Sequence, residues 1–181
     1  LGFRTGPGGA QAFFGIEADL VTYGKVIGGG MPLGVICGER RYMDALDGGA
    51  WAYGDESMPE VGVTFFAGTF IRHPLTLAAA RAVLLKLKAE GPELQKSVEE
   101  KTRDFVDRLN AVFQEAGVPV KASRFSSMWM LHADPGLKYF GLLFYHLRLR
   151  GIHLWEGRPG FLSVAHAEQD VTEILDAFTA S

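Results

Sequence analysis

The sharpest chemical feature of this sequence is a lysine set among glycines. Thr22-Tyr23-Gly24-Lys25-Val26-Ile27-Gly28-Gly29-Gly30-Met31-Pro32 continues a short β-prone run that starts at Ala18, is bounded by breakers and reads as a buried strand. An ammonium at the end of a buried strand is unusual, because desolvating a charge is costly. A lysine held in such a place becomes a nucleophilic amine, the chemistry of Schiff-base catalysis. The flanking glycines let the backbone approach a flat ligand closely and take up positive φ. The same pattern also fits a surface lysine in a glycine-rich turn, and local spacing alone does not choose between the two.

Phosphate-binding alternatives fail on inspection. A P-loop requires glycine five residues before the Gly-Lys pair and Ser or Thr after it, where this chain has Asp19 and Val26. The dinucleotide fingerprint fails too. Gly28-Gly29-Gly30-Met31-Pro32-Leu33 lacks its last glycine and places Pro32 where a helix should continue.

A second candidate is Thr64-Phe65-Phe66-Ala67-Gly68-Thr69-Phe70, followed by Arg72-His73-Pro74. A threonine hydroxyl and backbone N–H groups just ahead of a helix are good phosphate ligands. Taken by itself, the stretch reads more readily as an ordinary Gly-Thr turn. The five histidines, His73, His132, His146, His153 and His166, show no HExxH and no paired ligand spacing, so they read as packing or surface, not metal. Trp129, Trp155 and Phe161 read as core. Arg158, in the turn Glu156-Gly157-Arg158-Pro159-Gly160, is a weak candidate for meeting a substrate carboxylate.

The elements that must position these residues follow from periodicity and breakers. Leu33 to Cys37 reads as a second strand, Glu39 to Leu46 as a short helix, and Asp47 to Val63 as a long loop. Pro74 suits a first helical turn, and the Ala/Leu/Lys-rich run from Leu75 to Ala89 forms a helix that Gly91 ends. After Pro92, Leu94, Val98, Phe105, Leu109, Val112, Phe113 and Ala116 recur at helical spacing up to Gly117. Val118 to Ala122 and Ser127 to His132 read as strands, Tyr139 to Arg150 as a helix, Ile152 to Trp155 and Phe161 to Val164 as strands, and Asp170 to Phe178 as a closing helix. The reading is a glycine-rich α/β part over residues 1–93, then a linking helix and a smaller α+β part over residues 94–181. There is no internal repeat and no low-complexity segment.

Composition narrows the classes. The 181 residues are 48% hydrophobic, enough for a substantial core. A net charge of -3 recommends neither nucleic acid nor an anionic membrane as a partner. Cys37, the single cysteine, excludes an intrachain disulfide framework and a Cys-based zinc site, and fits a reducing, cytoplasmic compartment. No apolar run approaches the roughly 18 residues of a membrane span.

Several segments together carry a resemblance. Gly8-Gly9-Ala10-Gln11, Phe14-Gly15-Ile16, the whole Ala18–Pro32 run, Phe66-Ala67-Gly68-Thr69-Phe70 and His73-Pro74 resemble class III aminotransferases that use pyridoxal 5'-phosphate. Within that class they are similar to the glutamate-1-semialdehyde aminomutase branch. Gly151-Ile152-His153-Leu154-Trp155-Glu156-Gly157-Arg158-Pro159, with Phe161-Leu162-Ser163 and Ala165-His166, resembles aminotransferase domains of hybrid polyketide/peptide synthetases of the microcystin and mycosubtilin type. The long Asp47–Val63 loop suits that subgroup.

The resemblance implies an α/β fold: part of the large domain of a fold type I transferase, plus its C-terminal α+β small domain. It implies that Lys25 holds the cofactor covalently and then shuttles the substrate's proton. It implies that Gly68 and Thr69 bind the cofactor phosphate from the neighbouring subunit, in a homodimer with its sites at the interface. The substrates would be an amino-acid donor and a keto acceptor, the latter a β-ketoacyl chain on a carrier protein. The aspartate that pairs with the pyridine nitrogen is expected upstream of Leu1, so the 181-residue piece alone is expected to be inactive. Two rivals accompany this reading: the aminomutase itself, and a degenerate or truncated module kept for dimerisation or docking.

Overall fold

The computed structural model describes residues 2–181, which divide into two compact units. One unit comprises residues 8–91 with Gly2, and the other residues 92–181 with residues 3–7.

The first unit opens with α1 (Gly9–Phe14), which stops where Gly15 takes φ +64° and turns its N–H back to Ala12 and Gln11. β1 (Leu20–Gly24) then pairs antiparallel with β2 (Gly34–Gly38), Val21 opposite Cys37 and Tyr23 opposite Val35. The sequence reading expected a buried strand here. Instead Leu20 and Ile36 are about half exposed, because a two-stranded ribbon cannot bury its own faces.

The helix expected from Glu39 to Leu46 divides into α2 (Arg40–Met43) and a 3-10 turn over Asp44–Leu46. From there to His73 the chain has neither helix nor strand, so the irregular segment outruns the expected loop by ten residues. α3 (Pro74–Glu90) begins with its proline in the first turn, where a missing N–H costs nothing, and ends at Gly91, φ +60°.

The second unit is built on α4 (Glu93–Glu115). Val98, Thr102, Phe105, Val106, Leu109 and Phe113 fall at three- and four-residue intervals and line its buried face. That face packs on an antiparallel sheet of order β3-β4-β5, made by β3 (Val120–Phe125), β4 (Met128–Ala133) and the two-residue β5 (Gly160–Phe161). α5 (Leu142–Leu149) and α6 (Glu168–Thr179) close the layer. Trp129 is central, its ring centroid 5.0 Å from Phe105 and 6.2 Å from Phe178 in edge-to-face contacts. Residues 3–7 join this unit through Arg4, whose guanidinium lies 4.2 Å over the Phe161 ring and whose carbonyl accepts from the Ser126 hydroxyl.

Four expectations fail in this unit. Ile152 to Trp155 forms no strand, and Trp155 is 69% exposed instead of core. The strand expected over Phe161–Val164 shrinks to β5, and Phe161 is partly exposed beneath Arg4. Gly160 lies flat against Trp129, where a Cβ would stand 2.5 Å from the indole. The third strand pairs with β4 at Gly160 and Phe161, and Leu162 N–H donates to the Ser127 carbonyl at 3.1 Å just beyond.

Candidate active site

Lys25 opens a 3-10 turn, Lys25–Gly28, directly after β1. Its φ is +52°, a left-handed conformation that costs an L-residue about 1–2 kcal/mol. The turn is held from beneath. Ile27 and Gly28 are buried, and Gly29, at φ +59°, closes it by donating its N–H to Val26 at 3.2 Å. α3 supplies the floor: a Cβ on Gly29 would stand 3.0 Å from Val83 Cγ2 and 3.3 Å from the Ala79 carbonyl oxygen. A Cβ on Gly24 would meet the Leu33 carbonyl at 3.0 Å, so both ends of the lysine turn require glycine for close approach.

Lys25 itself is exposed in this chain. β1, β2 and α3 fix its backbone without covering its side chain. Neither its ammonium nor the Thr69 hydroxyl has a hydrogen-bond or ion-pair partner among the described residues.

Gly68 and Thr69 lie on the approach to the same helix. Ile71 N–H donates to Gly68 carbonyl at 3.2 Å, making a turn that ends a few residues before Pro74 starts α3. Both residues are exposed. Arg72 was not singled out by sequence reasoning as a site residue. It takes φ +57° and sets its guanidinium 5.9 Å over the Phe66 ring. Only four non-glycine residues have positive φ among the described ones, and Lys25 and Arg72 are two of them. Strain of this kind concentrates where function over-determines the backbone. No sequence signal announces it, because both positions hold residues that ordinarily avoid left-handed φ. α3 thus joins the two candidate segments: it packs under the lysine turn and begins just after the Gly-Thr turn.

The chemistry on offer is one free primary amine on a rigid turn, with a hydroxyl and backbone N–H groups ahead of a helix. A cavity of about 550 Å³ lies in the second unit, lined by Val112, Phe113, Leu142, His146 and Phe178 among others, and none of the candidate residues borders it. No group of His, Cys, Asp and Glu suited to a metal ion occurs among the described residues. No helix among them is long and apolar enough to cross a membrane.

The chain is similar to known proteins along almost its whole length. A glutamate-1-semialdehyde 2,1-aminomutase from Syntrophobacter fumaroxidans is 34% identical over 97% of this chain, which spans 41% of that relative's length. An omega-transaminase from Sphaerobacter thermophilus superposes with a TM-score of 0.81 at 26% identity, over 99% of this chain and 42% of its own. A β-phenylalanine aminotransferase from Variovorax paradoxus does so at 0.78 and 28%, over 98% and 41%. The structural neighbours are transaminases, and the α/β architecture described above is part of their fold type I fold. The pattern of the family described as aminotransferase class-III matches residues 2–123, and this chain belongs to that family.

Proposed function

We propose that the protein carrying this chain is a pyridoxal 5'-phosphate-dependent aminotransferase, with Lys25 as its cofactor lysine. The observation that carries the proposal is the Lys25 turn: an unpartnered amine on a backbone held at φ +52° between close-packed glycines. The residues present suit the group. The lysine amine matches its aldehyde, and the Thr69 hydroxyl with the backbone around Gly68 matches its phosphate. When bound, the cofactor supplies an electron sink for the substrate's Cα–H electrons. Lys25 Nζ removes the Cα proton and returns it on the far side of the transfer, a task for one amine held in register by a rigid turn. Gly68 and Thr69 serve the site of the neighbouring subunit in a homodimer, and the protein works in the cytoplasm.

The amino group comes from an amino-acid donor and passes to a β-ketoacyl chain tethered to a carrier protein, giving a β-amino product. Two features support this finer reading. The segment from Gly151 to His166 resembles that of assembly-line aminotransferase domains, and the Variovorax neighbour is named for a β-amino acid. A second reading, glutamate-1-semialdehyde 2,1-aminomutase, is favoured by the name of the relative from Syntrophobacter. The deciding experiment offers the full-length protein a β-ketoacyl thioester with an amino-acid donor, and glutamate semialdehyde separately. Amination of the thioester alone supports the first reading, and turnover of the semialdehyde alone replaces it with the second.

A further inference from the structure

We propose that Arg72 is a direct ligand of the cofactor phosphate and supplies the positive charge that Gly68 and Thr69 lack. This rests on the pyridoxal 5'-phosphate reading above, in which those two residues receive the phosphate of the neighbouring subunit's site.

The backbone at Arg72 is strained for an L-residue. Its φ of +57° lies in the left-handed region, where a side chain is crowded and glycine is free. A glycine here would form the same bend without that cost, so the position favours arginine for what its side chain does.

Arg72 directly follows the Gly-Thr turn. Ile71 N–H donates to the Gly68 carbonyl at 3.2 Å, and a Cβ on Gly68 would stand 3.3 Å from Ile71 Cδ1. Ile71 thus closes the turn, and the left-handed bend after it returns the Arg72 guanidinium over the Phe66 ring, 5.9 Å from its centroid. Phe66 precedes Gly68 and Arg72 follows Thr69, so a contact between their side chains brings the cation alongside the residues they flank. An aromatic face steers a guanidinium without occupying its N–H groups, which stay free to donate.

The charge around the turn has a gap that Arg72 fills. A phosphate monoester carries about -1.5 to -2 charge at pH 7, whereas a hydroxyl and backbone N–H groups are neutral. From Val61 to Ala89 the chain holds no acid. Of the cations in that stretch, Lys86 is paired with Glu90, and Arg81 and Lys88 lie well inside α3. Arg72 stands at the turn itself and pairs with no carboxylate among the described residues. Its planar fork suits two phosphate oxygens at once, in charge-assisted hydrogen bonds stronger than those of a neutral donor.

The test uses the full-length, cofactor-free protein with Arg72→Gly and, separately, Arg72→Lys. Each is titrated with pyridoxal 5'-phosphate and with pyridoxal, which lacks the phosphate, and binding is read by tryptophan fluorescence. We expect Arg72→Gly to raise the Kd for pyridoxal 5'-phosphate about tenfold or more, the loss of a hydrogen-bonding partner to a charged group. The Kd for pyridoxal should stay unchanged, and the thermal midpoint of the cofactor-free protein should stay equal or rise as the strain is relieved. Arg72→Lys should recover part of the affinity, because it keeps the charge and loses the fork. An unchanged Kd for pyridoxal 5'-phosphate in Arg72→Gly would overturn the proposal, and a raised KM for the amino-acid donor in its place would assign Arg72 to the substrate carboxylate. Equal losses for both ligands, or a changed oligomeric state, would also overturn it, since Arg72 would then serve the structure alone. If the unsubstituted protein bound neither ligand, the cofactor reading itself would fall, and this proposal with it.

Discussion

Gly29 rests against Val83: a Cβ added to Gly29 would stand 3.0 Å from Val83 Cγ2, with the Ala79 carbonyl 3.3 Å away on the same helix. The backbone that closes the lysine turn therefore lies directly on α3, and the orientation of Lys25 depends on a helix that begins 49 positions later in the chain.

Gly29→Ala tests that dependence. The alanine would meet both the left-handed φ of +59° and the α3 surface, and is expected to cost about 2–4 kcal/mol from the two effects together. Gly34→Ala, where a Cβ meets nothing within 4 Å, is the control and should change little. Thermal unfolding of the full-length protein compares them, and equal midpoints would contradict the packing described.

Lys25 is predicted to sit at a position better suited to stability with another residue. Asparagine tolerates left-handed φ, whereas a β-branched side chain does not. In cofactor-free protein, Lys25→Asn should match or exceed the parent in stability, and Lys25→Val should lose about 1–2 kcal/mol. Both should abolish transamination. Denaturant unfolding together with an activity assay separates the two roles.

Gly160→Ala tests the core of the second unit. The new methyl would fall 2.5 Å from the Trp129 ring, which is 5% exposed and packed on Phe105 and Phe178. Displacing the ring should cost about 1–3 kcal/mol and shift the tryptophan fluorescence. Unchanged emission and stability would show that β5 does not lie flat on the indole.

Asp55 should titrate below the ordinary carboxylate range. The Ser57 hydroxyl and its backbone N–H both donate to Asp55, the latter at 2.8 Å, and these bonds favour the ionised form. A carboxyl depressed in the folded state contributes stability above its unfolded pKa and loses it as pH falls through the folded one. The turn over residues 55–57 should therefore loosen only in acid. NMR titration of the Asp55 carboxyl checks this, and Ser57→Ala should move its midpoint upward.

The order of elements was legible where the signal is local. Pro74 and Gly91 bracket α3, and the spacing of Phe105, Leu109 and Phe113 marks the buried face of α4. It was illegible where one contact decides the outcome. Trp155 has the composition of a core residue, yet Ile152 to Trp155 forms no strand and its ring is left exposed. The same holds at the site. Lys25 stands out because the glycines around it are close in sequence. Its left-handed φ, the packing of α3 under Gly29 and the left-handed turn at Arg72 have no such local signature.

Lys25 Nζ is the proposed covalent attachment point of the cofactor. Borohydride reduction of the full-length protein loaded with pyridoxal 5'-phosphate, followed by peptide mass mapping, tests it most directly. The pyridoxyl group is expected on the peptide containing Lys25 and should disappear in Lys25→Asn. A pyridoxyl group on any other lysine, or on none, would contradict it.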